Sequence, residues 1–159
     1  MTDLTILNGP NLNLLGEREP EIYGATTLPQ IEEACTGFAQ TLGLSMTFRQ
    51  SNYEGQLIEW IHEARKSGRA IIINPAGLSF HSVPLLDALK TFDGPIVEVH
   101  ISNIHARDIH HRHSIISTAA TSVICGLGPY GYLMAMLSAA RMLGAVPDGM
   151  PAPLRTLPV

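Results

Sequence analysis

The run AIIINP at residues 70–75 is the tightest constraint on this chain. It is apolar throughout until Asn74. A strand apolar on both sides must be covered on both sides, as a central strand of a parallel sheet is. Four more short runs read as strands: LTILN (4–8), LSMTFRQSN (44–52), PIVEVH (95–100) and TSVICG (121–126). Helix-period segments separate them. TLPQIEEACTGFAQTLG has Thr27 as N-cap, Pro29 in its first turn and Gly43 as its stop. EGQLIEWIHEARKSG sets Leu57, Ile58, Ile61 and Ala64 on one face and ends at Gly68. HSVPLLDALKTF carries Ser82 as cap and Pro84 in its first turn, and GPYGYLMAMLSAARMLG is the last helix. Strands alternating with helices imply an α/β fold with a parallel sheet. Five strands predict a flavodoxin-like, doubly wound sheet in a single domain over residues 1–144. The tail, 145–159, holds four prolines and few core residues. It reads as a mobile or partner-docked extension.

The bulk numbers narrow the function classes. A chain of 159 residues, 45% apolar and 15% charged, suits one compact soluble domain with a sizeable core. The net charge of −4 leaves no excess of Lys and Arg to neutralise nucleic-acid phosphates. No run approaches the roughly 18 apolar residues of a membrane span. MTDLTIL enters a strand pattern at once and lacks a signal-peptide pattern, so the expected location is cytoplasmic. Cys35 and Cys125 lie far apart, match no metal spacing and read as buried free thiols.

In an open α/β sheet, ligands bind beyond the carboxyl ends of the strands. Those ends are polar here: Asn8 and Asn11 after the first strand, Gln50, Ser51 and Asn52 after the second, Asn74 after the third, His100, Ser102 and Asn103 after the fourth. Asn and His side chains gathered on one rim predict a small-molecule site. The loop NGPNLNLLGEREPEIYG (8–24) leaves that rim. It is too rich in large residues to cradle a phosphate and reads as a lid. Its Tyr23 is a candidate general base. A free tyrosine ionises near pH 10, so a tyrosinate at neutrality needs roughly 4 kcal/mol of stabilisation. Burial opposes ionisation, so a cation is required, and Arg18 or Arg107 could supply it. His100 is the natural acid partner. Glu98 lies two residues earlier on the same strand face, and a carboxylate beside an imidazole favours the protonated ring and fixes its tautomer. The histidines of HARDIHHRH (105–113) sit on a loop without the spacing of a zinc site, beside Arg107 and Arg112. They read as an exposed or anion-facing basic segment, and no metal is expected.

These residues resemble the type II 3-dehydroquinate dehydratases. The blocks that carry the resemblance are LNGPNLNLLGEREPEIYG, QSNYEGQLIEWIHEA, IINPAG, VEVHISNIHAR and GLGPYGY, in order and at family spacing over residues 4 to about 144. The resemblance implies a flavodoxin-like fold, a dodecamer built as a tetramer of trimers, and dehydration of 3-dehydroquinate to 3-dehydroshikimate without metal or cofactor. It implies that Tyr23 removes the C2 proton, that Arg18 keeps the tyrosine ionised and that Arg107 supports the same field. Asn11 would hold the water that stabilises the enolate oxygen. His100 would protonate the leaving C1 hydroxyl, oriented by Glu98. Asn74 and the backbone at Ile101 and Ser102 would hold the carboxylate and hydroxyl end, and Asp87 would reach a neighbouring subunit's site.

The chain departs from the family in the substrate shell. SFHS (79–82) stands for the usual THTS, so Phe80 occupies the place of a substrate-binding histidine and His81 follows one position later. Leu86 stands where arginine is common, and His111 takes the position of a substrate-binding arginine with Arg112 beside it. One missing charge-assisted contact costs roughly 1.5–3 kcal/mol. The expected outcomes are weaker binding, a shifted arrangement using His81 and Arg112, or a paralogue tuned to a different pathway such as quinate breakdown. A paralogous lyase for a related cyclic hydroxy-keto acid, with His111 in its altered substrate shell, is the alternative function. A flavodoxin-like binding module is the remote alternative. A flavin carrier needs a Ser/Thr/Gly phosphate loop and a phospho-receiver needs an acidic pocket after the first strand, and this chain has neither.

Overall fold

The computed structural model describes residues 1–17 and 20–151, apart from the side chains of Pro20 and Tyr23. Five parallel strands form one sheet: β1 (Thr2–Asn8), β2 (Met46–Gln50), β3 (Gly68–Asn74), β4 (Ile96–His100) and β5 (Ser122–Cys125), in the order β2-β1-β3-β4-β5. This is the flavodoxin-like doubly wound order. The helices are α1 (Pro20–Tyr23), α2 (Leu28–Leu42), α3 (Glu54–Ser67), α4 (Val83–Leu89) and α5 (Tyr130–Met142).

Strand alternation divides the core into two layers. Leu4, Ile6, Ala70, Ile72, Val97 and Val99 face α2 and α5, which supply Ile31, Cys35, Tyr132, Ala135 and Met136. Leu7, Ile71, Ile73 and Ile96 face α3 and α4, which supply Leu57, Ile61, Leu85 and Leu89. The apolar run on β3 thus serves both layers, and each fully buried Ile contributes about 1.5–3 kcal/mol of transfer free energy. Burial pushes the Cys35 thiol up to about 12, so it is an inert core group. Cys125 is only half-buried, at the end of an edge strand.

The helix ends follow the sequence signals. Thr27 and Gln30 form a reciprocal capping box on α2, with Pro29 in the first turn. Ser82 caps α4 by accepting from Leu85 N at 3.2 Å. Several boundaries shift by one to three residues, and one shows why. β2 begins at Met46 rather than at residue 44, because Gly43 turns left-handed and Leu44 N donates back to Ala39 O at 3.0 Å. Those residues close the helix and are unavailable to the sheet. After α5, Ala145 N donates to Ala140 O at 2.8 Å, and Met150 N to Pro147 O at 3.0 Å. The tail expected over residues 145–159 as a mobile or partner-docked extension lies, from residue 152 on, outside the described residues. Among the described residues, no helix is long and apolar enough to cross a membrane.

Candidate active site

The ladder register collects polar side chains at one end of the sheet. Asn8 pairs with Gln50 on one side and Asn74 on the other, so three polar strand ends share one rim. Gly9 tightens this corner. Its N donates to Asn74 O at 2.8 Å, and an added Cβ would meet Pro75 O at 2.5 Å. On β4, Gly126 N donates to His100 O at 3.3 Å, and Gly128 N to Ile101 O at 3.0 Å. Gly126 holds φ at +83°, where a side chain is strained, and a Cβ there would crowd Asn103.

Glu98 and His100 form a buried electrostatic pair at this rim. Both are buried, and His100 Nε2 lies 2.6 Å from Glu98 Oε1. With Nε2–H donating to the carboxylate, Nδ1 is the ring nitrogen Glu98 does not engage. Ser117 Oγ donates to the other carboxylate oxygen, Oε2, at 2.5 Å. Burial is the largest influence on Glu98 and pushes its carboxyl up. The His100 and Ser117 hydrogen bonds, the nearby Ser114 hydroxyl and the His100 charge together outweigh it, so the net displacement is downward. Ser114 Oγ acts from outside hydrogen-bonding geometry and is buried without a partner among the described residues. The serines were not legible as site residues. They lie 16 and 19 positions from Glu98 in an irregular segment, and only the packing of that segment under β4 brings them in.

A depressed carboxylate carries its stabilisation above its unfolded value and loses it as pH falls through the folded one. The ordinary value for this group is 4.5. The contribution of Glu98 is therefore complete above that pH and is lost progressively as pH falls through its depressed folded value. Glu98→Gln is expected to flatten the acid limb of a Tm-against-pH curve, on the acid side of the ordinary carboxylate value. An acid limb as steep as the parent's would refute a net downward displacement.

A cavity of about 260 Å³ opens over the rim, close to the lower end of small-molecule pockets. His100, Ile101, Ser102 and Asn74 form its floor side, and Asn11, Leu12, Leu14 and Leu15 its loop side. Asn11 is left-handed at φ 67°, and its N donates to Asn52 Oδ1 at 2.9 Å. Leu12 and Leu15 are buried in the core and anchor the start of the loop. Arg107, Phe80 and His111 complete the wall. Two of the positions expected to depart from the family, Phe80 and His111, meet each other. The Phe80 and His111 rings pack edge to face at 5.0 Å, and His111 Nδ1 lies 2.6 Å from Asp108 Oδ2. The His110 backbone N–H and the His111 ring hold the Asp108 carboxyl below the usual range.

The expected residues therefore divide. Asn11, Asn74, His100, Ile101, Ser102, Arg107 and His111 line one cavity, and Glu98 sits behind His100. His81 and Asp87 are exposed and not part of this lining, and neither is Arg112. His81 ends the turn that places Phe80 in the wall instead. Arg18 lies outside the described residues, as does the side chain of Tyr23. Among the described residues, no group of three or more His, Cys, Asp or Glu is arranged to hold a metal. Tyr132 is a contributor the sequence did not reveal. Its hydroxyl lies between Asn8 and Asn74, beneath the cavity.

The family model described as Dehydroquinase class II matches residues 2–140. The 3-dehydroquinate dehydratase 1 of Agrobacterium fabrum is 51% identical over 133 residues, which is 84% of this chain and 92% of that protein. The 3-dehydroquinate dehydratase of Thermus thermophilus is 48% identical over 145 residues, 91% of this chain and 97% of its own. Among solved structures, the type II dehydroquinase from Propionibacterium acnes superposes with a TM-score of 0.85 at 40% identity, covering 88% of this chain and 97% of that one. With the sheet order, the rim residues and these likenesses in agreement, the chain belongs to the class II dehydroquinase family.

Proposed function

We propose that this chain is a type II 3-dehydroquinate dehydratase, which converts 3-dehydroquinate to 3-dehydroshikimate through an enolate. The observation that carries the reading is the buried Glu98–His100 pair opening onto a ring-sized cavity in a chain of this family. Loss of water from a β-hydroxy ketone needs a base at the α-carbon, a donor for the developing oxyanion and an acid for the departing hydroxyl. Tyr23, ionised beside Arg18 and Arg107, takes the C2 proton, and electron density moves onto the ketone oxygen. Asn11 holds the water that donates to that oxygen. The enolate then collapses as the C1–O bond breaks. His100, protonated and held through Nε2 by Glu98, delivers a proton from Nδ1, and the hydroxyl leaves as water. Tyrosine ends protonated and histidine neutral, so one proton transfer between them through solvent resets the site.

Asn74, His111 and the backbone at Ile101 and Ser102 hold the carboxylate and hydroxyl end. The loop from Glu17 onward closes as a lid that excludes water. Two further parts of the reading rest on the family resemblance: a cytoplasmic location, and a dodecamer of four trimers in which Asp87 completes a neighbour's site. His81 would reach substrate only if the turn at 79–82 shifted.

One observation favours a second reading. Phe80 and His111 together replace part of the family's polar wall, as a paralogous lyase for a related cyclic hydroxy-keto acid would require. The test is turnover of 3-dehydroquinate, followed by the absorbance of the conjugated product and set against close analogues. The purified chain is expected to prefer 3-dehydroquinate, with His111→Ala raising KM by about tenfold at little cost in kcat. A folded oligomer with negligible turnover of 3-dehydroquinate sinks the leading reading. An unchanged KM removes His111 from the binding wall.

A further inference from the structure

A chain of hydrogen bonds runs under the cavity from one backbone group to another. Asn8 Nδ2 donates to Arg49 O at 3.1 Å. Tyr132 Oη donates to Asn8 Oδ1 at 2.6 Å, and accepts from Asn74 Nδ2 at 2.9 Å. Asn74 Oδ1 accepts from Ala76 N at 3.2 Å. The three side chains are buried, Tyr132 completely.

The two ends determine every polarity between them. A backbone carbonyl only accepts, so Asn8 must turn its amide nitrogen to Arg49 and its oxygen to Tyr132. The phenol must then donate to Asn8, which leaves a lone pair toward Asn74. Asn74 must offer its nitrogen there. A backbone N–H only donates, so the Ala76 end independently demands the Asn74 oxygen. Both ends give the same assignment, and no amide in the chain can flip without stranding a buried donor or acceptor. Ala76 is itself left-handed, at φ 50°, and also borders the cavity. Its bond to Asn74 supports that uncommon backbone. Burial raises the phenol's pKa, which keeps its proton in place for Asn8.

We propose that Tyr132 is a positioning residue that sets Asn74 as an oriented hydrogen-bond donor to substrate. One N–H of Asn74 goes to the phenol, and the other is the donor this amide can present to the cavity. The substrate group that meets Asn74 must accordingly be an acceptor, such as a carboxylate or a hydroxyl lone pair. This rests on the functional reading above but concerns a residue that touches no substrate.

Tyr132→Phe keeps the packing and removes one hydroxyl. It strands the buried Asn74 Nδ2 and leaves the amide held only by its 3.2 Å bond from Ala76 N. The expected result is a KM for 3-dehydroquinate raised about tenfold, with kcat changed less than threefold. Met136→Ala is the stability control, since Met136 is buried on the same helix and outside the hydrogen-bond chain. It is expected to lower Tm at unchanged KM. A Tyr132→Phe enzyme with parental KM, or a Met136→Ala enzyme with an equal rise in KM, overturns the proposal. If Tyr132→Phe does not fold, Asn8→Ser breaks the same chain and carries the same KM expectation. A parent chain without turnover sinks the functional reading alone. The crystal structure of the variant then decides: the Asn74 amide turned away from Ala76 N supports the positioning role, and an unmoved amide refutes it.

Discussion

Replacing His100 with alanine is expected to lower kcat on 3-dehydroquinate by about 10²- to 10⁴-fold, the usual worth of a placed general acid. KM should change by less than a few-fold, because the proposed substrate contacts at Asn74, Ile101 and Ser102 are left in place. The loss falls on the step that breaks the C1–O bond, since hydroxide is a poor leaving group unless protonated as it departs. The geometry gives the reason for the size. Glu98 is fully buried, and its charge is directed at His100 Nε2 from 2.6 Å in a low-dielectric setting where such a pair interacts strongly. The alanine variant also leaves Glu98 without one of its hydrogen bonds, so a lower Tm should accompany the kinetic loss. His100→Ala with more than a tenth of the parental kcat would remove this residue from the acid role.

Tyr23→Phe is expected to cause a loss of similar size, about 10²- to 10⁴-fold in kcat, for the complementary half of the reaction. Only one hydroxyl is removed, so the fold and Tm should be unaffected. Two measurements separate it from the histidine variant. Exchange of the C2 proton with solvent should vanish in Tyr23→Phe, because no base remains to form the enolate. The same exchange should survive in His100→Ala, where the enolate still forms and only its collapse is slowed. Exchange persisting in Tyr23→Phe would assign the base to another group.

Much of the scaffold could be read from residue order alone. The apolar run on β3, the capping residues Thr27 and Ser82 and the stop at Gly43 act through neighbours a few positions away, so local pattern specifies them. The Glu98–His100 pair was legible for the same reason, since strand alternation puts residues two apart on one face. The wall of the cavity was less so. Phe80 and His81 are adjacent in sequence, and nothing local says which faces inward. The backbone turn at 76–80 and the bond from Ile115 N to Ser79 O at 2.8 Å place Phe80 against His111 and leave His81 outside.

Hydrophobic period, helix caps and strand alternation act over one to four residues, and they were enough to specify five strands, four longer helices and the rim from which chemistry would be run. Ser117 on Glu98, Tyr132 between Asn8 and Asn74, and the Phe80–His111 contact join positions 19 to 124 residues apart. Each depends on the register of the sheet and the docking of helices on its faces. No short-range pattern encodes those distances, so only the packed tertiary structure decides which polar groups meet and which way each one points.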